Sequence, residues 1–240
     1  MVDTKADIQA WDQNADTYAA MIGTADDRMY ALFREVLWES LGDLRGLDVL
    51  DLGCGHGWLS TAMAEAGASI WGIDGSIELL KMAQNVCPDG EFLTYDLSLG
   101  LPPFAQKFDR IVSYMVLMDI PELDALLKSV RDVLQENGGK FIFTMTHPCF
   151  FNQKATYDAE NDQYFCKVTG YLKSDVWWIE NFGGHRHYHR SLTDYFELLR
   201  ANRLAVTRFY EPPQALPASA PEDDFRYEIP KFVLFEAIPI

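Results

Sequence analysis

No stretch of eighteen apolar residues occurs anywhere in the 240-residue chain, which excludes a transmembrane helix. Cysteine is scarce. Cys54, Cys87, Cys149 and Cys166 show no CxxC spacing and are too few for a disulfide framework, so free thiols in a reducing compartment are expected. The opening MVDTKADIQAWDQNADTY is polar and acidic and lacks the apolar core of a secretory signal; a cytoplasmic protein is expected. Positive charge is also in short supply, with 20 Lys and Arg against 36 Asp and Glu for a net −16. The ten basic residues of 1–150 face 23 acids, and the ten of 151–240 face 13. No basic stripe is left to displace counterions from a polyanion, so neither nucleic acid nor an anionic membrane is expected as a partner. Internal repeats and low-complexity tracts are missing too.

What is present is a core. Hydrophobic residues make up 48% and aromatics 13%, enough for one domain of this length. The expected organisation is a single domain over 1–240, in four segments. A helical cap spans 1–45, a core 46–146, an aromatic-rich insertion 147–190, and a closing helix with two strands 191–240. Short apolar runs at 47–52, 68–73, 91–95, 108–114 and 140–146 read as strands. Helical periodicity separates them at 58–66, 76–86 and 121–135, the last entered through Pro121. Residues 29–41 form an earlier helix, and 191–201 a later one with Ser191 as its cap and Asp194 in its first turn. Strands 204–210 and 232–238 close the chain, joined by a connector containing Pro212, Pro213, Pro217 and Pro221. Strands alternating with helices at this spacing give an α/β fold, a parallel sheet with helices on both faces.

In such a sheet ligands bind beyond the carboxyl ends of the strands. The first strand ends in Gly53-Cys54-Gly55-His56-Gly57, where glycine lets the backbone approach a ligand closely. A dinucleotide fingerprint wants its third glycine at position 58, which is Trp58, so a nicotinamide oxidoreductase is the weaker alternative. Three acids stand at successive strand ends: Asp51, Asp74 and Asp96. Asp51 would repel a pyrophosphate. A ligand with a sulfonium, an ammonium and a ribose diol would be attracted, with Asp74 placed to bind the diol.

The segments VLDLGCGHGWLS, WGIDGS, TYDL, FDRIVSYMVLMDI and NGGKFIFTMTHPCF resemble, in order and separation, the successive motifs of class I S-adenosylmethionine-dependent methyltransferases. The resemblance covers 47–150. It implies a Rossmann-like, doubly wound sheet of seven strands in the order 3-2-1-4-5-7-6, the last antiparallel. It also implies that Asp51, Gly53, Cys54 and Gly55 surround the methionyl part of S-adenosylmethionine. By the same implication Asp74 binds the ribose, Gly75 and Ser76 lie beside the adenosine, and Asp96 and Leu97 flank the adenine. Ser113 and Tyr114 would line the cavity, and Tyr18 would close over the cofactor, whose product form is S-adenosylhomocysteine. Gly75 departs from the family, which usually carries a larger residue there.

The implied activity is methyl transfer to an oxygen or nitrogen of a small-molecule acceptor, the alternative being a cofactor-binding regulatory protein without turnover. Candidate bases are His147, after the fifth strand, and the cluster His185, His187 and His189; Asp119 is a candidate acceptor-binding acid. No metal is expected, because Arg186 and Arg190 flank the histidines and no cysteine or carboxylate has ligand spacing beside them. Phe150, Phe151, Trp177 and Trp178 could wall an acceptor.

Overall fold

The structure, a computed structural model, describes residues 4–23, 28–151, 155–213 and 229–240. Three helices open it: α1 (Lys5–Gln13), α2 (Ala15–Ala19) and α3 (Arg28–Leu41). The alternating core follows as β1 (Asp48–Leu52), α4 (Trp58–Glu65), β2 (Ser69–Asp74), α5 (Ile77–Val86), β3 (Glu91–Thr94), β4 (Arg110–Tyr114), α6 (Asp124–Val133) and β5 (Lys140–Thr146). The insertion contributes β6 (Ala155–Asp158), β7 (Gln163–Cys166), β8 (Asp175–Ile179) and β9 (His185–His189). The chain closes with α7 (Leu192–Ala201), β10 (Leu204–Tyr210) and β11 (Phe232–Pro239).

The main sheet has seven strands in the order β3-β2-β1-β4-β5-β11-β10. Its first five pair in parallel, and β11 runs antiparallel to both β5 and β10. Once the four insertion strands are set aside, this is the expected Rossmann-like topology.

Side-chain alternation decides what each face covers. Leu50 and Leu52 of β1, Phe141, Phe143 and Met145 of β5, and Phe235 of β11 pack on one side against Leu126, Leu127 and Val130 of α6 and Leu199 of α7. Val49, Ile142 and Leu234 turn to the other side, against Phe33, Leu37 and Leu41 of α3 and Leu59 and Met63 of α4. Both layers are dry, and they fix the level at which the strand ends emerge.

Two boundaries differ from the periodicity. The helix expected from Pro121 starts at Asp124, because the carbonyls of Ile120 and Pro121 accept from the Arg190 guanidinium and so cannot serve a first turn. The fourth strand starts at Arg110 rather than at Phe108, which makes only an isolated bridge to Leu134. The capping box of α7, Ser191 with Asp194, is formed as expected. The insertion consists of two antiparallel ribbons, β6–β7 and β8–β9. Ribbon strand β9 packs on the 117–119 turn after β4 and on α1. Of the connector between β10 and β11, Pro217 and Pro221 lie outside the described residues.

Phe235 stacks on Phe143 at 4.7 Å and meets Phe196 and Phe209 at 5.4 and 4.9 Å, at the joint where the antiparallel strand enters the sheet. Phe235→Ala should lower unfolding free energy by about 3–5 kcal/mol. Urea denaturation checks this, and a loss below about 1 kcal/mol would show that the joint repacks.

Candidate functional site

The chain leaves β1 through a turn that only glycine permits at two points. Gly53 has φ +70°, and a Cβ on it would stand 2.3 Å from Val116 Cγ2. Gly55 has φ +55°, and a Cβ there would come within 3.3 Å of the Tyr18 ring. The turn is held by the acid at the end of β2. Asp74 Oδ2 accepts from the Gly55 amide and Oδ1 from the Ser76 amide, both at 2.8 Å. Burial pushes Asp74 above the usual carboxylate range, and these amide donors pull it back. Ser76 caps α5 by accepting from the Leu79 amide, and its hydroxyl donates to Asp12 of α1 at 2.6 Å. Asp96, after β3, accepts from Thr4 Oγ1 at 2.5 Å and from the Ser98 amide at 2.9 Å. Helix α1 buries no residue fully, so these polar ties place it across the strand ends.

Beneath α1 lies a cavity of about 300 Å³. Its wall includes Tyr18, Gly53, Gly55, Asp74, Gly75, Ser76, Asp96, Leu97 and Tyr114 from the sequence-derived set. Asp51, Cys54 and Ser113 are not in that wall. Period-two alternation turns Asp51 toward α4, where it is 1% exposed and accepts from Ser60 Oγ at 2.6 Å. Burial there pushes its carboxyl up to about 7. The Cys54 sulfur is buried against β2, only 2.9 Å from where a Gly72 Cβ would stand, and burial pushes its thiol up. Ser113 donates to the Leu52 carbonyl at 3.3 Å and ties β4 to β1.

The other half of the cavity is built by the insertion and the turn after β4. Asp119, His185, His187, Phe151, Phe182 and Phe232 line it, with Trp11 from α1. Trp11 lies 5.5 Å from Tyr18 and 4.8 Å from His185, so one aromatic cluster joins the N-terminal helices to the insertion. His147 is elsewhere: 1% exposed, its Nδ1 accepts from the Cys149 amide and its Nε2 lies 2.7 Å from Glu211. It shapes the turn after β5 and is not among the residues that line this cavity. Of the expected aromatic wall only Phe151 lines the cavity. Phe150 lies on His147 at 4.6 Å, Trp177 stacks on His187 and His189, and Trp178 is 57% exposed. His189 instead meets the Tyr171 carbonyl at 2.8 Å. Thr4, Asp12, Trp11 and Phe182 escaped the sequence reading. Only a contact map, not spacing, brings residue 12 to residue 76.

Comparison with known proteins agrees with this geometry. A family model described as a methyltransferase domain matches residues 49–138. A demethylmenaquinone methyltransferase of Tropheryma whipplei is 32% identical over 119 residues, 49% of this chain and 50% of that one. A ubiquinone biosynthesis O-methyltransferase of Coxiella burnetii is 35% identical over 112 residues, 42% of this chain and 44% of that one. The chain thus spans about half the length of the curated relatives it matches. Solved structures extend further. A putative S-adenosylmethionine-dependent methyltransferase from Listeria monocytogenes superposes with TM-score 0.75 at 26% identity, over 90% of this chain and all of that one. An S-adenosylmethionine-dependent methyltransferase from Mesorhizobium loti gives TM-score 0.74 at 26% identity, over 86% and 97%. A methyltransferase domain thus occupies residues 49–138, and from glycine turn to antiparallel strand the chain has the fold of class I S-adenosylmethionine-dependent methyltransferases.

Proposed function

We propose that the protein transfers the methyl group of S-adenosylmethionine to an oxygen or nitrogen of a small-molecule acceptor. The observation that carries this reading is a single cavity with two chemically distinct halves. One is the glycine turn with Asp74 and Asp96; the other is a wall of aromatics, Asp119 and two histidines. The first half fits the cofactor. Glycine at 55 leaves room between the turn and Tyr18 that a β-carbon would take, and each Asp74 oxygen, with one lone pair spent on an amide, keeps another for a ribose hydroxyl. The cofactor supplies an electrophilic methyl on a positively charged sulfur. The chain's part is to hold it under Tyr18 and α1, exclude water, and present an acceptor from the insertion side. Small-molecule acceptors are named for the quinone-pathway relatives, which supports that class here. Among the described residues no Lys or Arg lines the cavity, which disfavours a strongly anionic acceptor.

Titration calorimetry with S-adenosylhomocysteine should show binding, and Asp74→Ala should weaken it by about 1.5–3 kcal/mol through the lost charge-assisted contact. Equal affinity in the variant would remove Asp74 from the site. Gly55→Val should abolish measurable binding while circular dichroism stays native, because a β-branched residue suits neither the φ of +55° nor the space beside Tyr18. Normal binding by that variant would reduce the turn to a connector.

A further inference from the structure

The insertion side of the cavity brings Asp119 and His185 together and leaves one buried oxygen of that acid without a hydrogen-bond partner. Asp119 Oδ1 and His185 Nε2 stand 3.7 Å apart, too far to bond one another. Among the described residues Asp119 Oδ1 makes no hydrogen bond, and neither does His185 Nδ1. Both side chains line the cavity and both are largely shielded from water, at 15% and 10% side-chain exposure. An unmade hydrogen bond at such depth is destabilising, a cost that binding sites retain when a ligand completes the set. A hydroxyl oxygen seated beside Asp119 Oδ1 and His185 Nε2 can bond both, donating its proton to one and accepting from the other.

We propose that this gap binds the hydroxyl of a neutral, planar, phenol-type acceptor, with His185 as the catalytic base and Asp119 as a hydrogen-bond donor to the same oxygen. The proposal rests on the methyltransferase reading above and deepens it to an acceptor class.

The surroundings agree with that assignment. Burial, reinforced by the charge of Asp7, holds Asp119 well above the usual carboxylate range, which favours its protonated, hydrogen-donating form. Burial lowers His185, leaving a neutral imidazole able to accept. Asp7, on α1, is the charged group opposite. It is engaged by Arg186 at 3.2 Å and by the Tyr188 hydroxyl at 3.1 Å. His187, two residues along β9, is held neutral by burial with its pKa lowered to about 3, and Arg190 spends its guanidinium on the carbonyls of 120 and 121. Among the described residues, therefore, no Lys or Arg lines the cavity at the gap. Trp11 and Phe182 lie 6.1 Å apart beside it and offer flat surfaces to a ring.

In the reaction the hydroxyl proton passes to the His185 imidazole while an oxygen lone pair forms the new bond to the methyl carbon. The methyl–sulfur bond breaks with its electron pair kept by sulfur. Positive charge is thereby moved from sulfur to the imidazolium, which then releases the proton to water, so the site's net charge is unchanged during transfer. An anionic acceptor would have to bury its charge beside Asp7.

The test uses 4-nitrophenol, whose phenolate absorbs visibly and whose phenol does not, bound to the full chain saturated with S-adenosylhomocysteine. Wild type should bind it as the neutral phenol, with no phenolate band below its solution pKa. His185→Gln should depress methylation of this probe by roughly 10²–10⁴-fold, with S-adenosylhomocysteine affinity unchanged. Asp119→Asn should weaken 4-nitrophenol binding at least several-fold, and benzoate should bind at least tenfold more weakly than 4-nitrophenol. Methylation undiminished in His185→Gln, a bound phenolate band below the solution pKa, or benzoate bound as well as the phenol, overturns the proposal. So does failure of 4-nitrophenol to bind while S-adenosylhomocysteine does. Failure of S-adenosylhomocysteine itself to bind instead overturns the methyltransferase reading beneath it.

Discussion

The carboxylate of Asp74 is the constraint on which the cofactor half of the cavity depends. Its two oxygens hold the Gly55 amide and the Ser76 amide at 2.8 Å, joining the glycine turn after β1 to the cap of α5. Ser76 extends the link to Asp12 and so to α1, while Thr4 on Asp96 secures the same helix at a second strand end. One acid at the end of one strand thus sets the spacing of three elements. It can do so because the dry layers on both sides of the sheet fix where β2 ends. The energetic logic is that of a buried charge. Left alone it would be costly, and amide donors supplied by the turn make it tolerable.

Acidity continues around the cavity without becoming uniform. Asp74 and Asp96 are bonded to backbone amides and neighbouring hydroxyls, whereas Asp119 is left with an oxygen facing the aromatic wall. Acids bonded to backbone amides therefore gather where a sulfonium-bearing ligand is proposed to sit, and an acid with an unbonded oxygen stands where the acceptor is proposed to sit. A single cavity can separate the two tasks because its halves come from different parts of the chain: strand ends on one side, β9 and the turn after β4 on the other.

Much of this was legible in the sequence, for a definite reason. The core strands are apolar runs divided by helical periods, and the last two strands bracket a single antiparallel joint, so strand order followed from the resemblance without ambiguity. The glycine turn and the acids at 74 and 96 were legible because a short motif and its position at strand ends carry them. That Asp51 and Cys54 stand outside the cavity wall was not legible, because position within the motif does not say which way a side chain points. Leu50 and Leu52 face one layer, and Asp51 between them must face the other. The helix at 124 started late because of Arg190, some seventy residues away, a contact with no local signature. His147, a candidate base after the fifth strand, has both ring nitrogens occupied, by Glu211 and the Cys149 amide. The histidines of β9 were correctly grouped on one face. What the sequence could not show was that His185 and His187 turn to the cavity while His189 bonds the Tyr171 carbonyl.

The central claim is that cofactor binds between the glycine turn and an N-terminal helix tied down by polar contacts. Amide hydrogen exchange, with and without saturating S-adenosylhomocysteine, addresses it most directly. The account predicts slower exchange in residues 5–19 together with 53–57 and 74–76, and unchanged exchange in the outer ribbon at 155–166. Protection of the turn with no change in 5–19 would contradict it, because α1 would then not be part of the binding site.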